Sequence, residues 1–453
     1  MDNKNISIIS AVVMQHAEEA SFLWILRDRA VDAPHYSLAD LAKLDDRIEA
    51  HIDGLRIAGD AGWEICKEAL SIEEAGEVFA ASVLAFESGD EGRIHTVVDA
   101  GTKSPELSRG LISALGWLPY QHAEGYIKKL LSSDSPLVRR VGIAACAIHR
   151  KDPGRSLIDV ISDNDPLLKA RALKVAGELG RVDLMALLQK NFYPEDEKIC
   201  FWAAWSAAIL GDSGAVSFLK SFVVSSQPPH PCLEYGAGPT LLPQGEREES
   251  NESTPRPTGG RERTEDALKI ALRRMELSAA QNWQRELAEN PDSVRLSVIG
   301  AGVIGDPMSI SWLIEQMKTR ELARVAGESF TMITGVDIAY EDLEGKWPEG
   351  FEAGPTENPE DENIEMDLDE DLPWPNPELI QKWWDQNKGR FRNGTRYLLG
   401  QPISLEHLQQ VLRTGLQRQR AAAALELAMM NSGQPLFEVR APGFRQKKTL
   451  GLN

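Results

Sequence analysis

Apolar and polar positions recur along the chain with a helical period and, above it, a longer one. The segments LSRGLISALGWLPY, VRRVGIAACAIHRKDP, LKARALKVAGELGRVD, ICFWAAWSAAILGDSG and SVRLSVIGAGVIGDPM each read as an Ala- or Gly-rich helix ending on an apolar residue and a turn. A second amphipathic stretch follows each. The apolar ends Leu118, Ile148, Leu179 and Leu210 stand 30, 31 and 31 residues apart, and Ile304 takes the same place in the later copy. Two helices of about four turns with two short turns use roughly thirty residues. The period of about 30–31 therefore predicts stacked helical hairpins.

Ala144, Ala145, Ala176, Gly177 and Ala207 predict close approach between the first helices. Ile127, Leu130 and Leu131, then Leu157, Val160 and Ile161, then Phe218, Leu219 and Phe222, form the stripes of buried helix faces. No hairpin covers its own stripe; stacked neighbours do, giving an elongated superhelix with a broad concave surface. FTMITGVDIAY is the best strand candidate, but Gly335 interrupts it. The predicted fold is all-α, an α-solenoid of HEAT-like helical-hairpin repeats with helical caps at both ends.

Composition breaks this array twice. Residues 226–263 carry seven prolines among Gly, Ser and Glu, which predicts a flexible insertion. Residues 346–376 predict an acidic linker. The other boundaries follow: an N-terminal helical cap over 1–68, repeats over 69–225 and 264–345, and a C-terminal helical module over 377–453 that caps the array.

The net charge of −20 opposes a general role on nucleic acid or anionic lipid and leaves a basic protein partner open. Residues 376–453 hold twelve Lys or Arg against five Asp or Glu, so the first 375 residues sum to −27. That asymmetry predicts contact between the two parts or two different partners. The acid run DENIEMDLDED concentrates Asp361, Glu362, Glu365, Asp367, Asp369, Glu370 and Asp371 without a base. Asp367, Asp369, Asp371 and Glu378 fit positions 1, 3, 5 and 12 of a calcium loop. Leu372 stands where that loop needs Gly, and three prolines follow, so no metal is assigned. The run reads first as a solvated linker and second as a contact surface, with Trp374, Trp383 and Trp384 as aromatic anchors. Arg418 and Arg420 are its expected intramolecular partners.

His16 with Glu19 and His51 with Asp53 could be ligands or acid–base groups, but neither pair forms a metalloprotease motif. Hydrogen bonds between helices are the better reading. GAGVIGDP lacks the preceding strand of a dinucleotide fingerprint and reads as close helix packing. The four cysteines, Cys66, Cys146, Cys200 and Cys232, lie far apart and fit a reducing cytoplasm. No stretch approaches eighteen apolar residues, so no membrane span is expected. No cofactor and no catalytic residue is assigned.

HAEEASFLW, LDDRIEAHIDGLRIAGDAGW, ARVAGESFTMITGVDI, DLPWPNPELIQKWW and GLQRQRAAAALELA resemble a family of uncharacterised proteobacterial proteins with HEAT-like repeats, found beside type VI secretion components. The resemblance spans nearly the whole chain except 226–263. It implies an accessory role in interbacterial antagonism, without catalytic residues. Two versions fit: an immunity protein that neutralises a toxin, for instance a nuclease, or a chaperone or adaptor that loads an effector onto the spike. The alternative from another class is a repeat-built enzyme such as a lyase, for which no chromophore-binding cluster is found. A repeat-built glycosylase would need a basic concave face.

Overall fold

The computed structural model describes residues 9–193, 196–224, 258–354 and 367–452. Three helices open the chain: α1 (Ser10–Ala30), α2 (Leu38–Ala58) and α3 (Asp60–Ala69). Hairpins follow, α4 (Ala75–Ser88) with α5 (Glu91–Gly101), α6 (Pro105–Trp117) with α7 (Tyr120–Leu131), and α8 (Pro136–Ile148) with α9 (Arg155–Ile161). Next come α10 (Pro166–Glu178) with α11 (Met185–Gln189), and α12 (Glu197–Ile209) with α13 (Ala215–Val224). The array resumes with α14 (Thr258–Arg274) and α15 (Leu277–Glu289), α16 (Val294–Ile304) and α17 (Ile310–Gln316), and α18 (Arg320–Thr334) and α19 (Pro377–Asn387). A two-residue hairpin, β1 (Tyr397–Leu398) with β2 (Gln401–Pro402), precedes α20 (Leu405–Thr414), α21 (Gln417–Met430) and α22 (Gly443–Leu450). The chain is an all-helical repeat solenoid.

Local chemistry starts the helices where the repeat requires. Pro105, Pro136 and Pro166 occupy first turns, where a missing N–H costs nothing. Ser104, Asp165 and Asp196 accept from the free amides of α6, α10 and α12. The first helix of each hairpin packs on the first helix of the next, forming an inner layer of α4, α6, α8, α10, α12, α14, α16 and α18. Small residues set that spacing. A Cβ on Gly177 would lie 2.5 Å from Ser206 Oγ, which donates to Leu173 O at 2.7 Å. Gly302 faces Ser329 in the same way, and Ser329 Oγ donates to Val298 O at 2.9 Å. GAGVIGDP therefore serves helix packing, and FTMITGVDIAY begins as the end of α18.

The C-terminal module does not cap the end of the array. It lies along the rim where the inner helices end, and the physical reason is the set of carbonyls that every helix leaves without an intrahelical donor. Arg445 donates to Ile148 O at 3.1 Å, and the Leu436 amide to Glu178 O at 3.0 Å. Arg396 donates to Leu272 O and Met275 O at 3.0 and 2.8 Å. The Tyr397 amide reaches Gly305 O at 2.8 Å, and the Leu399 and Gly400 amides reach Met332 O and Ile333 O. Gly305 and Gly335, with φ of 73° and 74°, let the strap approach; a Cβ on either would strike its backbone. A basic segment thus meets the negative ends of successive helix dipoles.

Three further expectations need correction. The superhelix is curled rather than elongated: Arg418 donates to Asp32 O after α1 at 2.8 Å and to Glu328 of α18 at 2.9 Å, joining the two ends of the array. His35 Nδ1 also stands 3.3 Å from Asp371 Oδ2. The last repeat extends beyond 345, because α19 packs on α17 and sets Trp383 edge-on to Phe330 at 5.7 Å. Helix α14 starts at Thr258, inside the segment expected to be an insertion. Among the described residues no helix is long and apolar enough to cross a membrane.

Candidate functional site

The acid run folds onto the array rather than onto Arg418 and Arg420. Asp361, Glu362 and Glu365 lie outside the described residues. Asp367 receives both Nη atoms of Arg324 at 2.7 Å, and Asp369 receives both Nη atoms of Arg295. These forks are the geometry in which guanidinium binds carboxylate best. Arg324 also donates to Asp369 O at 2.8 Å and lies 5.0 Å from the Trp347 ring and 5.8 Å from Trp374. Glu370 and Asp371 are exposed. Trp374 packs on Trp347 and Phe351, and Trp384 is buried, so these tryptophans hold the protein's own surfaces together.

Arg420 cannot reach the acid run because it is fully buried. It donates to Leu412 O at 2.7 Å, Gln446 Oε1 at 2.6 Å and Gln417 Oε1. Burial pushes its guanidinium down to about 10, still cationic at neutral pH.

A second cationic group lines the inner layer. Arg109 and Arg140 are the fifth residues of α6 and α8, Arg171 is the sixth of α10, and Arg324 is the fifth of α18. Arg109 pairs with Asp28, and Arg171 with Glu178 at 2.8 Å. Among the described residues Arg140 has only Ser108 Oγ, at 2.9 Å, and its buried Nε has no partner. Burial lowers its pKa, and Arg171 adds to the effect. One turn past Arg171, Lys174 lies 4.2 Å from the Trp202 ring and makes no ion pair among the described residues. Burial pushes its amine down, and burial likewise raises the Asp266 carboxyl on α14. Both side chains keep some solvent exposure. At Glu178 burial opposes ionisation, but Arg171, Lys174 and Arg150 outweigh it and hold the carboxyl low.

His16 and His51 do not form separate acid–base pairs. Their Nδ1 atoms lie 3.2 Å apart, joining α1 to α2. Cys66, Cys146 and Cys200 are buried, with thiols pushed up to about 12 by burial, and Cys232 lies outside the described residues. No family model matches the chain, and no curated protein matches it.

His149 supplies a pH dependence. Its Nε2 lies 2.8 Å from Leu115 O, an acceptor that fixes the proton on that nitrogen. Burial, then Arg445 and Lys151, lower its pKa to about 4 against the pull of the Leu115 bond. The unfolded chain, with a His value near 6.5, therefore binds the proton first as pH falls. Stability is complete above about 6.5 and declines by roughly 2–3 kcal/mol toward pH 4. His149→Gln should flatten that part of the profile, measured as urea midpoints at several pH values.

Neither the Arg295–Asp369 nor the Arg324–Asp367 pair was expected from sequence, nor was the group of Arg140, Arg171 and Lys174. A signal existed: Arg109, Arg140 and Arg171 are each 31 residues apart, the period of the apolar helix ends.

Proposed function

We propose that the chain is a non-enzymatic protein-binding solenoid of the type VI secretion setting, an immunity protein that covers the basic active face of a secreted nuclease toxin. The observation that carries this reading is where the basic C-terminal segment spends its charge. Arg396, Arg418, Arg420, Arg440 and Arg445 are all engaged with helix-end carbonyls, internal carboxylates or buried amides. Five of the segment's twelve Lys or Arg are thus spent inside the fold, and the chain as a whole keeps a net charge of −20. A chain of that sign attracts and orients a basic partner, and nuclease active sites are basic because they hold phosphates.

The test is affinity capture of the tagged chain from its native cytosol at low and high salt, with retained proteins identified by mass spectrometry. A basic toxin domain held through high salt, and silent in a nuclease assay until released, is the expected result. Capture of a spike-tip protein alone would favour the loading adaptor, and a captured toxin that stays active in the complex would sink the immunity role.

A further inference from the structure

We infer that Arg140, Arg171 and Lys174 form a docking site on the inner layer for an extended acidic peptide segment of a partner protein. The chain itself displays the chemistry at the far end of the array. There Arg295 and Arg324, from the neighbouring inner helices α16 and α18, take the two carboxylates of Asp367 and Asp369, spaced by one residue. Trp347 and Trp374 flank the Arg324 cation. On α8 and α10 the parts recur. Arg140 holds the same fifth position as Arg324, Arg171 stands on the adjacent inner helix, and Trp202 flanks the Lys174 ammonium.

The difference is the carboxylate. Arg109, Arg171, Arg295 and Arg324 each have one within 4 Å, whereas Arg140 and Lys174 have none among the described residues. Glu178 accepts its close bond from Arg171, and Glu178 and then Asp266 act on Lys174 only at longer range. Arg140 is half-buried beside Arg171, its Nε has no partner among the described residues, and Asp165 and Glu106 act on it only at longer range; such a guanidinium is costly without a close counter-charge. An Asp-x-Asp or Glu-x-Asp segment would supply it, one side chain to the Arg140 fork and the next to Lys174. The site is independent of the chain's net negative charge, so it can stand or fall without the immunity reading.

The probe is a fluorescein-labelled peptide of this chain's own acidic sequence, DENIEMDLDED, added to the full-length protein and followed by anisotropy. Its amide analogue, with Asn and Gln for every acid, is the control. The acidic peptide should bind and the analogue should not. Arg140→Gln with Lys174→Gln should weaken binding by about tenfold or more, the scale of a lost charged hydrogen bond. Arg140→Lys, which keeps the charge and loses the fork, should fall between, and it serves if the double variant does not fold. Lys128→Gln on α7, exposed and paired with Glu124, should change nothing. Equal binding of the analogue, no binding, or binding indifferent to both Arg140 variants would overturn the proposal. Displacement by low concentrations of inorganic phosphate would also overturn it and make this a small-anion site.

Discussion

Asp45→Ala will be among the most destabilising single changes in the chain, costing about 3–5 kcal/mol through the cation it strands. Asp45 is 2% exposed and accepts from Arg27 Nε at 2.8 Å and from the Gly443 amide. Arg27 in turn donates to Ala441 O at 2.9 Å, so one buried pair fixes α1 and α2 to the C-terminal strap. Burial is the largest influence on Asp45 and raises its pKa, against Arg27 and the Gly443 bond. The pair is thus no large source of net stability, and the damage comes from removing one half. The double variant Arg27→Leu with Asp45→Leu should recover most of the loss. Urea unfolding compares the three proteins, and limited proteolysis near Val439 reports whether the strap has lifted. A double variant as unstable as Asp45→Ala would refute this account.

The hairpin array was legible because its signals are local and periodic. Small residues such as Gly177 and apolar ends such as Leu179 report one helix and its neighbour, and the structure places them in that contact. The strap was not legible. Its bonds run from backbone amides and arginines to helix-end carbonyls up to several hundred residues away, as from Arg445 to Ile148 O, and carbonyls leave no trace in a residue pattern. The charge asymmetry did announce that the two parts meet, since the basic segment and the acidic array are in contact. It could not say where. Arg418 looked like a partner for the acid run from proximity and sign, yet any of the chain's 49 cations was eligible on those grounds. Arg295 and Arg324 win because α16 and α18 place two forks near their N-terminal ends, where residues 367–371 cross. The inner cations Arg140 and Arg171 were hidden differently: their period matches the repeat, but they stand among polar positions usually read as solvated.

Arg324→Ala should release the acid run from the array and leave the hairpins folded. Arg324 is 5% exposed, and its truncation removes both bonds to Asp367, the bond to Asp369 O and the cation between Trp347 and Trp374. At Asp367 burial favours the neutral acid, but the Arg324 bonds and the Asp369 amide prevail and hold the pKa below its ordinary value. A lowered carboxylate pKa means stability present at neutral pH and lost as pH falls through the folded value, so acid should loosen the same contact in the wild-type chain. Removing the cation mimics that acid state at pH 7, with a local cost of about 3–5 kcal/mol. Faster cleavage at Glu370 by a Glu-specific protease, and a red shift of tryptophan emission from Trp347 and Trp374, are the expected signs. Arg418→Ala should do neither, since its fork is spent on Asp32 O and Glu328 across the closure of the array. Were Arg418→Ala to free the acid run and Arg324→Ala to leave it in place, the sequence-based pairing would be the right one and the anchoring described here wrong.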